Sequence, residues 1–330
     1  MQGNGEAKVS DAWERLFQHG GDINSARLAF PKAPEPWLDL STGINPVPYP
    51  VAALDPALWA RLPAPAEVAA LEQAAAARYG ASVEHVVAAP GAQALIQWLP
   101  RLFPAAAVAI PGPTYGGHAT AWRAAGAQIL DRAEPGAPAV VVNPNNPDGR
   151  RFSPAELRAL AAQASLLVVD EAFADFDDET LSPDPPPRTV VLRSFGKAYG
   201  LAGVRLGFAI ARPEIVAAIR AALGAWPVSG PAVEIGRRAL ADEAWIADAR
   251  IRLEADADWL DGRLRQAGFE IVGGTLLFRL ARRADAAREF AALAERGVLT
   301  RPFSQRPDWL RFGAPRPGDR ARLAAALDAL

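Results

Sequence analysis

Three polar residues follow runs that read as buried β-strands, and each brings a different chemical capacity. Lys197 sits in SFGKAYGLAGVRLGF (194–208), among glycines and small side chains. Of the 35 basic residues three are lysines, Lys8, Lys32 and Lys197, leaving 32 arginines. Arginine carries the charge nearly everywhere, so Lys197 reads as kept for what a guanidinium cannot do: lose its proton and attack a carbonyl. A solvated surface lysine is the plainer alternative. Asp170 and Glu171 end the apolar run LLVVD, where an isolated carboxylate is costly unless it meets a cation or a protonated ring nitrogen. Asn146 lies between prolines in VVVNPNNPDG, a loop that an ordinary turn would also explain. Two further elements are anionic in their preference. Arg205 follows Lys197 by eight positions. In APGAQALIQ, a tight turn at Gly91 precedes a helix whose first amides, Ala92 and Gln93, could hold a phosphate through free N–H groups and the helix dipole. Many helices start after Pro-Gly, so this signal is weak alone.

The elements that must position these groups are legible in the periodicity. HVVAA, AAVAI, AQIL, AVVVN, LLVVD, TVVLRSF and RLGFAIA are strand candidates between residues 84 and 211. Helical patterns such as GAQALIQWLPRLF, TYGGHATAWRAAG and SPAELRALAAQA separate several of them. The last opens with Ser153, Pro154 and Glu156 in N-cap, N1 and N3 positions. Such alternation predicts an α/β fold with a mostly parallel sheet covered on both faces, its ligands beyond the carboxyl ends of the strands. No GxGxxG follows the first strand, which argues against a Rossmann dehydrogenase. The Pro-rich SPDPPPR (182–188) reads as a connection inside this region. After Pro227 the pattern changes to long helices (231–241, 244–267). Short strands near 269–280, a helix near 285–296, strands near 298–312 and a last helix from 317 then predict a smaller α+β domain.

Half of the 330 residues are hydrophobic, ample for a large core, and the net charge is −2 without long single-sign runs. Neither nucleic acid nor a membrane surface is implied as a partner. The chain has no cysteine, which removes disulfides, thiolate metal sites and cysteine nucleophiles, and no metal is expected. The polar start MQGNGEAKVSDAWERLF does not read as a signal peptide, and a cytoplasmic location is the expectation.

One cofactor would give the separate pieces a common task. Pyridoxal phosphate needs an amine for its aldehyde, a carboxylate for its pyridinium nitrogen, and donors for its phenolate and phosphate. The order Asn146, Asp170, Lys197, Arg205, in NPNNPDG, VVDEAF and SFGKAYGLAGVRLGF, resembles that of the fold type I pyridoxal-phosphate enzymes, the aspartate aminotransferase superfamily. The resemblance runs from LDLSTGINP to WLRFG. It implies a large domain with a seven-stranded, mostly parallel sheet over 41–226, a small domain over 227–330, and an arm over 1–40 packing near the small domain and the substrate. It also implies a homodimer. By match to the motifs, Lys197 would bind the cofactor aldehyde and Asp170 would keep the ring nitrogen protonated. Asn146 would donate to the phenolate, Tyr115 would stack on the ring and His118 would support Asp170. Gly91, Ala92, Gln93, Ser194 and Arg205 would hold the cofactor phosphate. Arg311 of WLRFG would take the substrate carboxylate, and Arg301 of VLTRPF a substrate phosphate.

Within that superfamily the chain is similar to histidinol-phosphate aminotransferases and to threonine-phosphate decarboxylases of cobalamin biosynthesis. Two positions depart from the aminotransferases: Phe173 stands where their DEAY carries a phenolate donor, and Leu62 where a tyrosine crosses the dimer interface to a phosphate. HGGD, with His19 and Gly20, resembles the HGGN start of the decarboxylases, and STGINP would wall the substrate site with Ile44 and Asn45. The resemblance therefore favours decarboxylation of a small phosphorylated amino acid, L-threonine O-3-phosphate, over transamination. A cofactor-fold protein that binds without catalysis is the third reading, opposed by the intact Asn146, Asp170, Lys197 and Arg205 set.

Overall fold

Short runs of valine, leucine and alanine, buried on both faces, build the larger sheet. The computed structural model describes residues 11–330, so Lys8 and the first ten residues of the expected arm lie outside the described residues. Strands β1 (Leu38–Asp39), β2 (Val86–Ala89), β3 (Ala107–Ala109), β4 (Gln128–Leu130) and β5 (Ala139–Val142) come first. They are followed by β6 (Leu167–Asp170), β7 (Thr189–Ser194), β8 (Gly207–Ala211), β9 (Glu270–Thr275) and β10 (Phe278–Arg282). The last are β11 (Val298–Leu299), β12 (Arg301–Pro302) and β13 (Trp309–Gly313). By internal contacts the chain divides into two compact units, Pro48–Asp248 and a second made of the described residues up to Val47 together with Ala249–Leu330.

In the 48–248 unit, seven strands pair in the order β2-β8-β7-β6-β5-β3-β4. The pairs β3·β4, β3·β5, β5·β6 and β6·β7 are parallel, while β8 runs antiparallel to both its neighbours. All seven expected strands are present, and every residue of β2, β5, β6 and β8 is buried, as a sheet covered on both faces requires. Leu95, Leu99, Trp122, Val140, Val168, Val190 and Ile219 share one core. Full burial of a valine or leucine contributes about 1.5–3 kcal/mol, so this core fixes where the strand ends fall. The helix Pro154–Gln163 starts as its sequence predicts: Ser153 Oγ accepts from the Glu156 amide at 3.3 Å, and Glu156 accepts from the Ser153 amide at 2.7 Å.

In the other unit, β12-β13-β10-β9 form an antiparallel sheet and β1 pairs in parallel with β11. Its core joins the N-terminal segment to the C-terminal one, with Leu16, Ala26 and Leu40 beside Phe269, Phe290, Leu310 and Phe312. Trp13 packs against Phe17, Phe30 and Phe290, with ring centroids 5.4, 5.8 and 5.5 Å away.

Candidate active site

In the 48–248 unit the chemically capable side chains collect at the carboxyl ends of the central strands. Asp170 is the last residue of β6 and is 3 % exposed. Its two oxygens are separately engaged: Oδ2 lies 2.8 Å from His118 Nε2, and Oδ1 accepts from the Ala172 amide at 3.0 Å. His118 is buried on the helix Gly116–Ala124 and meets the Tyr115 ring edge-on at 6.1 Å. The Tyr115 hydroxyl donates to Gln93 Oε1 at 3.0 Å. Burial, and then the Asp170 charge, hold that hydroxyl above its usual pKa, so it stays neutral. Tyr115, His118, Asp170 and Gln93 thus form one connected group.

A second group surrounds the N-terminus of the helix Ala92–Leu102. Gly91 is its N-cap with φ +84°. A Cβ at that position would lie 2.8 Å from Arg205 Nη2, so only glycine lets this guanidinium approach the first turn of the helix. Arg205 itself adopts a left-handed backbone at φ +56° and donates from Nη1 to the Ala202 carbonyl at 3.2 Å. A non-glycine residue in that region costs roughly 1–2 kcal/mol, a strain found at ligand clamps. Ser194 ends β7 in register with Gly207 of β8. Open helix amides, a guanidinium and a nearby hydroxyl are the donor set of an anion cradle.

Lys197 follows on the short helix Phe195–Ala198, half-buried, with Nζ 5.4 Å from the centroid of the Phe173 ring. Phe173 is buried and brings an aromatic face, with no hydroxyl, to the amine. Asn146 is half-buried in a loop that its neighbours fix. Asn145 Nδ2 donates to the Pro113 carbonyl and to Asp148, and Asn143 exchanges bonds with Phe152 at 2.8 and 3.1 Å. The role of Asn145 and Asn143 is therefore to shape the loop that presents Asn146.

The remaining expected residues lie in the other unit. Arg301 of β12 and Arg311 of β13 are direct cross-strand partners. Like charges so placed repel unless an anion offsets them. Burial pulls the Arg301 pKa down to about 10. Burial, then the Arg301 charge, pulls Arg311 down to about 9, with Asp39 opposing. Both guanidinium groups keep their charge at neutral pH. Arg311 donates to the Ser41 carbonyl at 2.8 Å and lies over the Phe278 ring. Arg301 donates to the Leu16 carbonyl at 2.9 Å and the Gln18 carbonyl at 2.6 Å. His19 is exposed directly after that anchored stretch. A Cβ on Gly20 would lie 2.3 Å from the Ser41 carbonyl oxygen, and the Gly21 amide donates to Ser41 Oγ at 2.7 Å. Ser41 is in turn held by Asp39 Oδ1, through its amide at 2.9 Å and its hydroxyl at 2.6 Å. Ile44 is half-buried, and Asn45 Oδ1 accepts from the Val47 amide at 3.1 Å and Arg252 at 3.5 Å.

Comparison with known proteins gives the chain a family. The family described as aminotransferase class I and II matches residues 35–330. The chain belongs to that family. A threonine-phosphate decarboxylase from a Sinorhizobium species is 43 % identical over 326 residues, spanning 94 % of this chain and 97 % of that protein. A second, from Pseudomonas aeruginosa, is 40 % identical over 327 residues with the same coverage. Among solved structures, a Sinorhizobium meliloti histidinol-phosphate aminotransferase in complex with pyridoxal-5'-phosphate superposes with a TM-score of 0.80. It is 18 % identical, with 93 % of each chain covered, and establishes the aminotransferase fold.

In the unit that holds Arg311, two residues, Ser41 and Asp22, were assigned no role of their own from sequence. Ser41 carried no signal in STGINP, yet it touches the HGGD turn and Arg311 at once. Asp22 of HGGD caps the helix Ile23–Ala29, accepting from the Ser25 amide at 2.9 Å, and Ser25 hydrogen bonds hold its carboxyl below the usual range. An aspartate three residues before a serine at a helix start is a capping signature, and it was the available clue. Leu62 is 61 % exposed.

Proposed function

We propose that this chain is a pyridoxal-phosphate-dependent carboxy-lyase. It converts L-threonine O-3-phosphate into carbon dioxide and (R)-1-amino-2-propanol O-2-phosphate for cobalamin biosynthesis. The near-full-length likeness to two threonine-phosphate decarboxylases carries the reading. The donor set supports it.

The residues fit the cofactor. The Ala92 and Gln93 amides, Ser194 and the Arg205 guanidinium that approaches where Gly91 lacks a Cβ suit its phosphate. Asp170, anchored by His118 and the Ala172 amide, suits the ring N–H. Tyr115 lies against His118 and suits the ring face, and Asn146 suits the ring oxygen. Lys197 suits the aldehyde. When bound, the cofactor supplies an electron sink for the pair left on a carbon that loses its carboxylate.

Residues of this chain would do the rest. Lys197 would hold the cofactor through its amine and, when that amine is free, would deliver a proton to the substrate Cα. Asp170 keeps the ring nitrogen protonated through the reaction. In the other unit, Arg311 takes the substrate carboxylate and Arg301 faces the second anionic group, with His19, Gly20, Ile44 and Asn45 around them. Clamping the carboxylate chooses which Cα bond breaks. The Cα–carboxylate bond breaks, carbon dioxide leaves, the electron pair stays on Cα, and the Lys197 proton completes the methylene.

We further propose a cytoplasmic homodimer. Among the described residues no helix is long and apolar enough to cross a membrane. Val51, Trp59 and Leu62 are 47, 72 and 61 % exposed on one stretch, an apolar surface that a second copy would cover.

Incubation with threonine phosphate alone tests the reaction. Many equivalents of carbon dioxide, with the cofactor spectrum restored, are expected. Stoichiometric bleaching without carbon dioxide, rescued by 2-oxoglutarate, would make it a transaminase.

A further inference from the structure

The two guanidinium–carbonyl bonds of Arg301 point to a role besides facing an anion. We infer that Arg301 is a positioning residue, the latch that holds the His19–Gly20–Gly21 turn in place. The segment 11–16 is helical and ends in a turn at Phe17 and Gln18. The carbonyls at a helix C-terminus lack intrahelical donors, and a cation there is favourable. Arg301 meets both needs from a distant strand, donating Nη1 to Leu16 and Nη2 to Gln18. Gln18 is the residue immediately before His19, so the last fixed backbone group before the turn is the one Arg301 holds.

The far side of the turn is held independently. Gly20 packs on the Ser41 carbonyl with no room for a Cβ, Gly21 is bonded to Ser41 Oγ, and Asp22 caps the following helix. Leu16 and Phe17 anchor the near side by packing in the core, and Arg301 supplies the hydrogen bonds that fix the backbone from there to Gln18. Two of the five N–H groups of a guanidinium make the latch, which leaves others for an anion. The proximity of Arg311 across the strand pair favours anion binding at the same place. Arg301 therefore ties the position of His19 to the charge that the substrate must meet. That the turn belongs to a substrate site rests on the function proposed above; the latch itself does not.

Hydrogen exchange of the holoenzyme without substrate tests it, comparing wild type with Arg301→Met. Exchange of backbone amides over 18–21 should be about tenfold to a hundredfold faster, the loss expected for bonds to a charged group. Amides of β5, β6 and β7 should be unchanged. KM for threonine phosphate should rise more than kcat falls. Unchanged exchange over 18–21 with a raised KM would make Arg301 an anion contact only and overturn the latch, leaving the substrate reading intact. Fast exchange in a protein that never decarboxylates threonine phosphate would sustain the latch and remove that reading. Should Arg301→Met not fold, Arg301→Lys replaces a two-pronged donor by a single ammonium. Its exchange should then fall between wild type and the rate of an unprotected turn, and wild-type protection in it would overturn the proposal.

Discussion

Two sets of buried or half-buried arginines, one in each unit, are held in opposite ways. In the 48–248 unit Arg193, 3 % exposed, meets Glu171 at 2.9 Å and Asp175 at 3.2 Å and lies 4.3 Å over the Tyr79 ring. Burial alone would lower its pKa, but the two carboxylates outweigh that and raise it. Glu171 also accepts from the Leu181 amide and the Ser182 hydroxyl, which ties the Pro-rich connection to β7. In the other unit Arg301 and Arg311 stand opposite each other and donate to main-chain carbonyls, and both pKa values fall. Compensated charge holds geometry. Arg301, held through the Leu16 and Gln18 carbonyls, keeps its attraction for an anion, and the difference separates the scaffold that aims Asp170 and Lys197 from a residue that would receive a substrate.

The largest expected effect lies on the chemistry itself. Lys197→Ala should lose about ten-thousandfold or more in turnover, the upper range for a positioned proton donor. It should also leave no lysine of this unit to be labelled when the loaded protein is reduced with borohydride and mapped. Turnover within tenfold of wild type, or a pyridoxyl group on Lys32, would detach the chemistry from this unit.

Stability should then separate the two regions. Arg193→Met strands two buried carboxylates and should cost about 3–5 kcal/mol, read from urea unfolding. Arg311→Met removes a buried charge that donates to the Ser41 carbonyl and lies over the Phe278 ring, and should change stability by about 1 kcal/mol or less in either direction. The same Arg311→Met should raise KM about tenfold or more, because a charge-assisted contact to the substrate is lost. Equal stability losses in the two variants would erase the contrast between the units.

A smaller effect tests the support of the cofactor ring. Asp170→Ala should keep bound cofactor yet lose about 3 kcal/mol of transition-state stabilisation, on the order of a hundredfold in turnover. Near-normal turnover with bound cofactor would mean that Asp170 serves packing.

Much of this architecture was legible because the signals were local. All seven strands of the large sheet show as apolar runs of three to six residues, and Ser153, Pro154 and Glu156 announce their helix. Lys197 stood out through the scarcity of lysine in an arginine-rich chain. What stayed hidden depends on partners far apart in sequence. The reversal of β8 is invisible, since a strand buried on both faces has the same composition in either direction. Leu38 and Asp39 were not among the strand candidates, and their pairing with Val298 and Leu299 is set by the fold. Nothing in Ser41, or in the ten-residue separation of Arg301 and Arg311, foretells a shared neighbourhood, because register across a hairpin depends on the length of its connection.

The role of Lys197 as the group that returns a proton to Cα can be tested most directly by running the reaction in deuterium oxide and reading the product by NMR. The ammonium hydrogens of a lysine exchange with solvent, and a single donor reaches one face of the carbon. The account predicts aminopropanol phosphate carrying one deuterium on the former Cα, in one configuration only. Deuterium distributed over both faces would contradict delivery by Lys197, and a ketone in place of the amine would contradict decarboxylation.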